Sequence, residues 1–200
     1  MVNQVINEEK LEIIKKEALK NHVPILKDVS LKYILTILEI RNPKTILEIG
    51  TAVGYSAINF SRYLDENGKI TTIEINEETA KIAKENIKDM GLSDKIEVVV
   101  SDAYEYMKTL NDSFDVIFID AAKGQYVKYL DEALRLSKKG SIIIADNVLL
   151  SGMVLGGYNE HKHRTQVNRL REYIEKVTTD EKLKSTIVDV GDGLAISVVQ

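Results

Sequence analysis

The feature that most restricts the fold is a change of rhythm at Thr45. From there to Ala145, short apolar runs at 45–49, 69–74, 95–100, 114–119 and 140–145 alternate with helical segments over 54–65, 77–90, 103–110 and 124–137. Runs such as Val116-Ile117-Phe118-Ile119 and Ile142-Ile143-Ile144-Ala145 lack polar alternation, as strands covered on both faces do. Strands separated by single helices close by right-handed βαβ crossovers into a parallel sheet with helices on both faces. After 145 the rhythm stops. A helix over 163–178 leads to a strand at 184–190, Gly191-Asp192-Gly193 marks a turn, and Leu194–Val199 is a last strand. So short a link makes the final pair an antiparallel hairpin. The expectation is an α/β fold with a seven-stranded, mostly parallel sheet.

Two helices precede the sheet. Leu11, Ile14, Ala18 and Leu19 fall at helical spacing within 8–20, and His22-Val23-Pro24 breaks that segment. Leu31, Ile34, Leu35 and Leu38 mark a second helix over 29–40, ended by Asn42-Pro43. A chain of 200 residues suits one domain, with 1–42 packing on or beside its core. No apolar run reaches membrane-spanning length, and the first residues lack a signal-peptide pattern. The absence of cysteine excludes disulfides, thiolate catalysis and Cys-zinc sites. Together these points predict a cytoplasmic protein. A net charge of −4 opposes indiscriminate nucleic-acid binding but permits a local basic patch.

The first strand runs through Glu48 into Gly50-Thr51-Ala52-Val53-Gly54 and then a helix. This is the first βα turn of a Rossmann-like fold, where small residues let the backbone approach a ligand at a helix N-terminus. The dinucleotide pattern G-x-G-x-x-G is not met, because Ala52 takes its middle glycine and Tyr55 its third. A nucleoside without a pyrophosphate fits better; a plain tight turn is the alternative. Glu74 closes the second strand, where an acid accepts hydrogen bonds from both ribose hydroxyls, or simply faces a helix N-terminus. Asp102 follows the third strand, placed either for an adenine amino group or to cap the helix from Ala103. Leu47-Glu48-Ile49-Gly50-Thr51, Glu74 and Ser101-Asp102-Ala103 resemble the successive motifs of class I S-adenosylmethionine methyltransferases. The resemblance implies Glu48 near the methionine moiety or orienting the Gly50 loop, Glu74 on the ribose, and Asp102 and Ala103 at the adenine.

Asp120 ends the fourth strand and Asp146-Asn147 the fifth. Neighbouring strands lie about 4.8 Å apart, and the carboxyl edge of such a sheet is where ligands bind. Two carboxylates and an amide oxygen suit a hard divalent cation, Mg²⁺ rather than zinc, with positions left for water and substrate. Each residue alone is also an ordinary strand-end cap or turn former. Lys123 shares the face of Asp120 if a helical turn begins there. An ammonium beside a cation is disfavoured, which would leave a usable base; alone, Lys123 reads as a surface lysine opening a helix.

Asp120-Ala121-Ala122-Lys123 with Asp146-Asn147-Val148-Leu149 resembles the cation-dependent O-methyltransferase family, which includes catechol and caffeoyl-CoA O-methyltransferases. The resemblance runs from Val23-Pro24 to Gly191-Asp192-Gly193. It implies S-adenosylmethionine as donor, Mg²⁺ on Asp120, Asp146 and Asn147, and Lys123 and Asp120 as the catalytic pair. It further implies Leu26, Ser56 and Asp120 as cofactor contacts, a homodimer, and an acceptor with two vicinal oxygens.

Three readings of the acceptor follow. Val23-Pro24-Ile25-Leu26, Gly50–Ala57 and Gly152–Arg171 are similar to the bacterial branch that converts 5-hydroxyuridine in tRNA to 5-methoxyuridine. The O5 hydroxyl and O4 carbonyl of that base are vicinal oxygens. His161-Lys162-His163-Arg164, Arg169, Arg171 and the first-helix lysines would supply cations for RNA, or form a solvated loop and helix face. The same site would serve small catechols or other phenols, with Gly156-Gly157 letting a lid close or merely turning the chain. A non-catalytic protein retaining the cofactor fold is the third, opposed by the metal set and Lys123.

Overall fold

In the computed structural model, residues 6–156 and 163–200 are described. Gly157, His161 and Lys162, singled out above, lie outside them. The chain divides into two compact units, one up to Ala103 and one from Tyr104.

In the first unit, α1 (Glu8–Lys20) begins where the Asn7 side chain accepts a hydrogen bond from the Lys10 amide, with Glu8 and Glu9 in the positive first turn. It buries Leu11, Ile14 and Ala18. α2 (Asp28–Arg41) buries Leu31, Ile34 and Leu38 and stops at Asn42, which takes the left-handed conformation that asparagine tolerates. Strand β1 (Thr45–Ile49) follows, and its Ile46, Leu47 and Ile49 are fully buried. β2 (Lys69–Glu74) lies between β1 and β3 (Ile96–Val100), and both pairings are parallel. The helix expected over 54–65 is shorter: α3 covers Tyr55–Phe60 and a 3₁₀ turn takes Ser61–Tyr63. Asn59 Nδ2 donates to the Tyr55 carbonyl and Ser61 Oγ to that of Ile58, side-chain bonds that compete with the α-helical ladder. α4 (Glu77–Asp89) is capped by the Asn76 side chain and lays Ala80, Ala83 and Ile87 inward.

In the second unit, α5 (Ala103–Thr109) leads to β4 (Phe114–Ile119), buried along its whole length. Its one charge, Asp115, is matched 3.0 Å away by Lys138. A 3₁₀ turn (Lys123–Gln125) precedes α6 (Tyr126–Arg135). β5 runs from Ser137 to Ala145, three residues longer at its start than expected. Ser141 explains the added polar stretch: its hydroxyl accepts from the Lys138 amide and donates to the Phe114 carbonyl, where the β4–β5 register shifts. α7 (Arg164–Thr179) leads to β6 (Leu183–Val188) and β7 (Leu194–Val199), an antiparallel hairpin as expected. β5 pairs parallel with β4 and antiparallel with β7. The strands thus form a seven-stranded, mostly parallel sheet with an antiparallel C-terminal hairpin. Among the described residues no helix is long and apolar enough to cross a membrane.

Candidate active site

In the first unit, β1 delivers the loop from Gly50 to Gly54, and three of its residues have positive φ: Gly50 (101°), Ala52 (46°) and Gly54 (84°). A chain of side-chain hydrogen bonds holds it from beneath. The fully buried Glu48 accepts from Thr72 Oγ1 at 2.6 Å, and Thr72 shares a 2.7 Å bond with Thr51 Oγ1. Each hydroxyl has one proton, so Thr72 donates to the carboxylate and Thr51 donates to Thr72. Glu48 is thereby linked to the loop through Thr72 and Thr51. Glu74 reaches the same loop from β2: Oε2 accepts from the Ala52 amide and Oε1 from the Asn76 amide, each at 3.0 Å. Each oxygen keeps a lone pair beyond these bonds. From α4, Asn86 Nδ2 donates to the Val53 carbonyl at 2.9 Å.

Thr51, Thr72 and Asn86 were not anticipated. A polar residue inside an apolar strand, as Thr72 is, was the available signal. Ile75, directly after Glu74, is 68% exposed. Ser56 is the one half-buried residue of the otherwise buried α3. Asp102 stands immediately before α5, whose first residue Ala103 is buried. Leu26 is buried in the connection between α1 and α2.

In the second unit, Asp120 and Asp146 each follow the last residue of a parallel strand, and Ile119 and Ala145 are register partners. The Asp146 amide donates to the Ile119 carbonyl at 3.0 Å, so both carboxylates leave the sheet at the same level. Lys123 Nζ lies 2.9 Å from Asp120 Oδ1, although the 3₁₀ turn begins only at Lys123 and leaves Asp120 outside it. Asn147 has φ 57° and its Nδ2 donates to Asp146 Oδ2 at 3.2 Å.

Asp146 is the anomaly of this cluster. It is 1% exposed, and its Oδ1 is buried with no hydrogen-bond partner among the described residues. Burial, reinforced by the charge of Asp120, raises its carboxyl from 3.8 to about 6, against the opposing influence of the Asn147 backbone and Lys123. A buried, under-satisfied carboxylate is costly unless a cation meets it. Among the described residues no three His, Cys, Asp or Glu side chains converge as a metal cluster. The set here has two carboxylates and an amide instead, and its all-oxygen chemistry with a bare Oδ1 fits a hard divalent cation.

Among the described residues, most of the cations foreseen for RNA have a partner within the protein. Arg169 pairs with Glu172 at 2.6 Å. Arg171 donates to the carbonyls of Val154 (3.1 Å) and Gly156 (2.5 Å), bracing the segment after β5. Lys15 pairs with Asp28 at 2.6 Å, and Lys10 donates to the Asp89 carbonyl at 3.0 Å. His163 Nδ1 is 3.2 Å from Gln166 Oε1.

Comparison with known proteins bears on both units. A family profile described as O-methyltransferase matches residues 3–199. A catechol O-methyltransferase of Niastella koreensis is 34% identical over 178 residues, covering 84% of this chain and 79% of that protein. An O-methyltransferase from Bacillus cereus, solved in complex with SAH, superposes with a TM-score of 0.88 at 29% identity, covering 98% of this chain and 93% of the other. TomG from Streptomyces achromogenes, solved in complex with SAM, gives a TM-score of 0.86 at 27% identity, covering 98% and 92%.

Proposed function

The chain belongs to the O-methyltransferase family, and from that premise we propose that it moves the methyl group of S-adenosylmethionine, with the aid of a divalent cation, to one of two adjacent oxygens of its acceptor. That it is an S-adenosylmethionine-dependent O-methyltransferase follows from its relatives and structural neighbours. The cation and the acceptor class are this proposal's own content. The observation that carries it is Asp146 Oδ1, buried and without a partner among the described residues, beside a second carboxylate.

The residues divide the work. Glu74 holds the Gly50–Gly54 loop through Oε2 on the Ala52 amide, accepts from the Asn76 amide at Oε1, and keeps one lone pair of each oxygen for the ribose hydroxyls. Ile75 supplies an apolar face for the purine, and Asp102 with Ala103 stands at its edge. Ser56 and Leu26 complete the cofactor contacts. Asp120, Asp146 and Asn147 would hold the cation, which when bound would supply Lewis acidity toward an acceptor hydroxyl. Lys123 Nζ, beside Asp120, is the atom placed to take up, as a neutral amine, the proton that the hydroxyl gives up. In the transfer, the O–C bond forms as the S–C bond breaks in line, leaving a methyl ether and S-adenosylhomocysteine. Holding donor and acceptor collinear supplies much of the acceleration.

Two acceptors present the required oxygen pair: 5-hydroxyuridine in tRNA and a catechol. Of the arginines beside the site, Arg171 is committed to the Val154 and Gly156 carbonyls, whereas Arg169 pairs with Glu172 on the surface and stays open to a phosphate. The test incubates the protein with labelled S-adenosylmethionine and Mg²⁺, offering either tRNA devoid of 5-methoxyuridine or catechol, each with and without EDTA. Label in 5-methoxyuridine assigns RNA modification, whereas methylated catechol with untouched tRNA assigns the small-molecule reading. Turnover that survives EDTA undiminished sinks the cation reading.

A further inference from the structure

Tyr126 opens α6, is fully buried, and has no part in the chemistry above. Its hydroxyl lies 2.8 Å from the Asp146 carbonyl oxygen and 3.4 Å from that of Ile119. A phenol has one proton, so the shorter contact takes the hydrogen bond and the longer is a weak second branch. The Ile119 carbonyl already accepts from the Asp146 amide at 3.0 Å. The hydroxyl therefore brackets the ends of β4 and β5, touching the peptide before Asp120 and the peptide after Asp146.

That second peptide joins Asp146 to Asn147. Asn147 sits in the left-handed region at φ 57°, a conformation asparagine adopts more readily than most residues. Fixing the Asp146 carbonyl fixes this peptide plane, and the plane decides where the Asn147 side chain points. The side chain in turn donates to Asp146 Oδ2. On the other flank, Lys123 Nζ lies 5.3 Å from the centroid of the Tyr126 ring, within cation–π reach, while it pairs with Asp120. The ring is itself set by Tyr173, edge-on at 5.5 Å. One buried side chain thus contacts or supports Asp120, Lys123, Asp146 and Asn147.

We propose that Tyr126 is a positioning residue for the cation site, its hydroxyl holding the Asp146–Asn147 peptide and its ring seating Lys123. The inference rests on the cation-assisted reading. Tyr173 provides the control: it is equally buried, but its hydroxyl has no hydrogen-bond partner among the described residues, so losing that oxygen disturbs packing alone.

The experiment titrates Mn²⁺ into the full chain by calorimetry for the unaltered protein, Tyr126→Phe and Tyr173→Phe, with S-adenosylhomocysteine affinity and far-ultraviolet circular dichroism measured alongside. Loss of a supporting contact typically weakens metal binding about 10-fold or more. Tyr126→Phe should show that loss with cofactor affinity and dichroism unchanged, and Tyr173→Phe should bind Mn²⁺ as the unaltered protein does. Undiminished Mn²⁺ affinity in Tyr126→Phe, or equal weakening in both variants, overturns the inference. No Mn²⁺ binding by the unaltered protein removes the cation reading itself, a distinguishable failure. Should Tyr126→Phe not fold, Tyr126→4-aminophenylalanine retains an N–H donor at the end of the ring. Mn²⁺ affinity matching the unaltered protein then supports the positioning role, and loss of affinity in the folded variant refutes it.

Discussion

Removing the charge of Asp146 should stabilise the metal-free protein while abolishing its activity. A rise in the folded carboxyl pKa from 3.8 to about 6 corresponds to about 3 kcal/mol at about 1.4 kcal/mol per pH unit. The folded state holds this proton more tightly than the unfolded chain does. The associated stability is therefore fully present below about pH 3.8, declines through the window up to about 6, and is lost above it. Asp146→Asn makes the group neutral at every pH and keeps an oxygen to accept from Asn147 Nδ2. Its amide N–H groups bring a desolvation cost of about 1 kcal/mol where they lack partners. The net gain at pH 8 is then about 2 kcal/mol, a rise in Tm of about 4–8 °C for a chain of this size. Urea unfolding in EDTA at pH 8 and at pH 4 measures it: the variant should be the more stable at pH 8, with the advantage gone at pH 4. Added Mn²⁺ at about 100 times its Kd should stabilise the unaltered protein by about 2.7 kcal/mol and leave the variant where it was. A variant less stable than the unaltered protein at pH 8, or an advantage that persists unchanged at pH 4, refutes the assignment of an uncompensated buried charge.

Three further outcomes are expected. Glu74→Ala removes the acceptor of the Ala52 amide, and a charge-assisted bond of this kind is worth about 1.5–3 kcal/mol, so S-adenosylhomocysteine should bind about 10- to 100-fold more weakly by calorimetry. Gly193→Ala is strained at φ +90°, and its Cβ would fall 2.8 Å from the Leu149 amide nitrogen; destabilisation by more than about 1 kcal/mol in urea is expected, with the segment after β5 displaced. Arg171→Ala frees the Val154 and Gly156 carbonyls and should raise KM for the acceptor while KM for S-adenosylmethionine stays constant, as initial-rate kinetics will report.

Much of the fold was legible because a strand covered on both faces has no polar residue to spare. β1, β2, β4 and β7 fall where the apolar runs lie. Reading faltered where side chains compete with backbone. Asn59 and Ser61 cut α3 short, and Ser141 drew the polar Ser137–Lys139 stretch into β5, which was expected to start at 140.

The candidate site divides along a similar line. The sequence alone determined its chemistry: carboxylates and an amide at two strand ends, a lysine one turn on, small residues in the first βα loop. These depend on residue type and spacing, which a linear chain carries openly. Tertiary structure decided which atoms are satisfied. It committed Glu48 to Thr72 and both Glu74 oxygens to backbone amides. It turned Arg171 inward, left Asp146 Oδ1 bare, and drew Tyr126 beneath both strand ends. Hydrogen-bond partners and desolvation arise from residues distant in the chain, as Glu48 and Thr72 are, so residue spacing does not encode them.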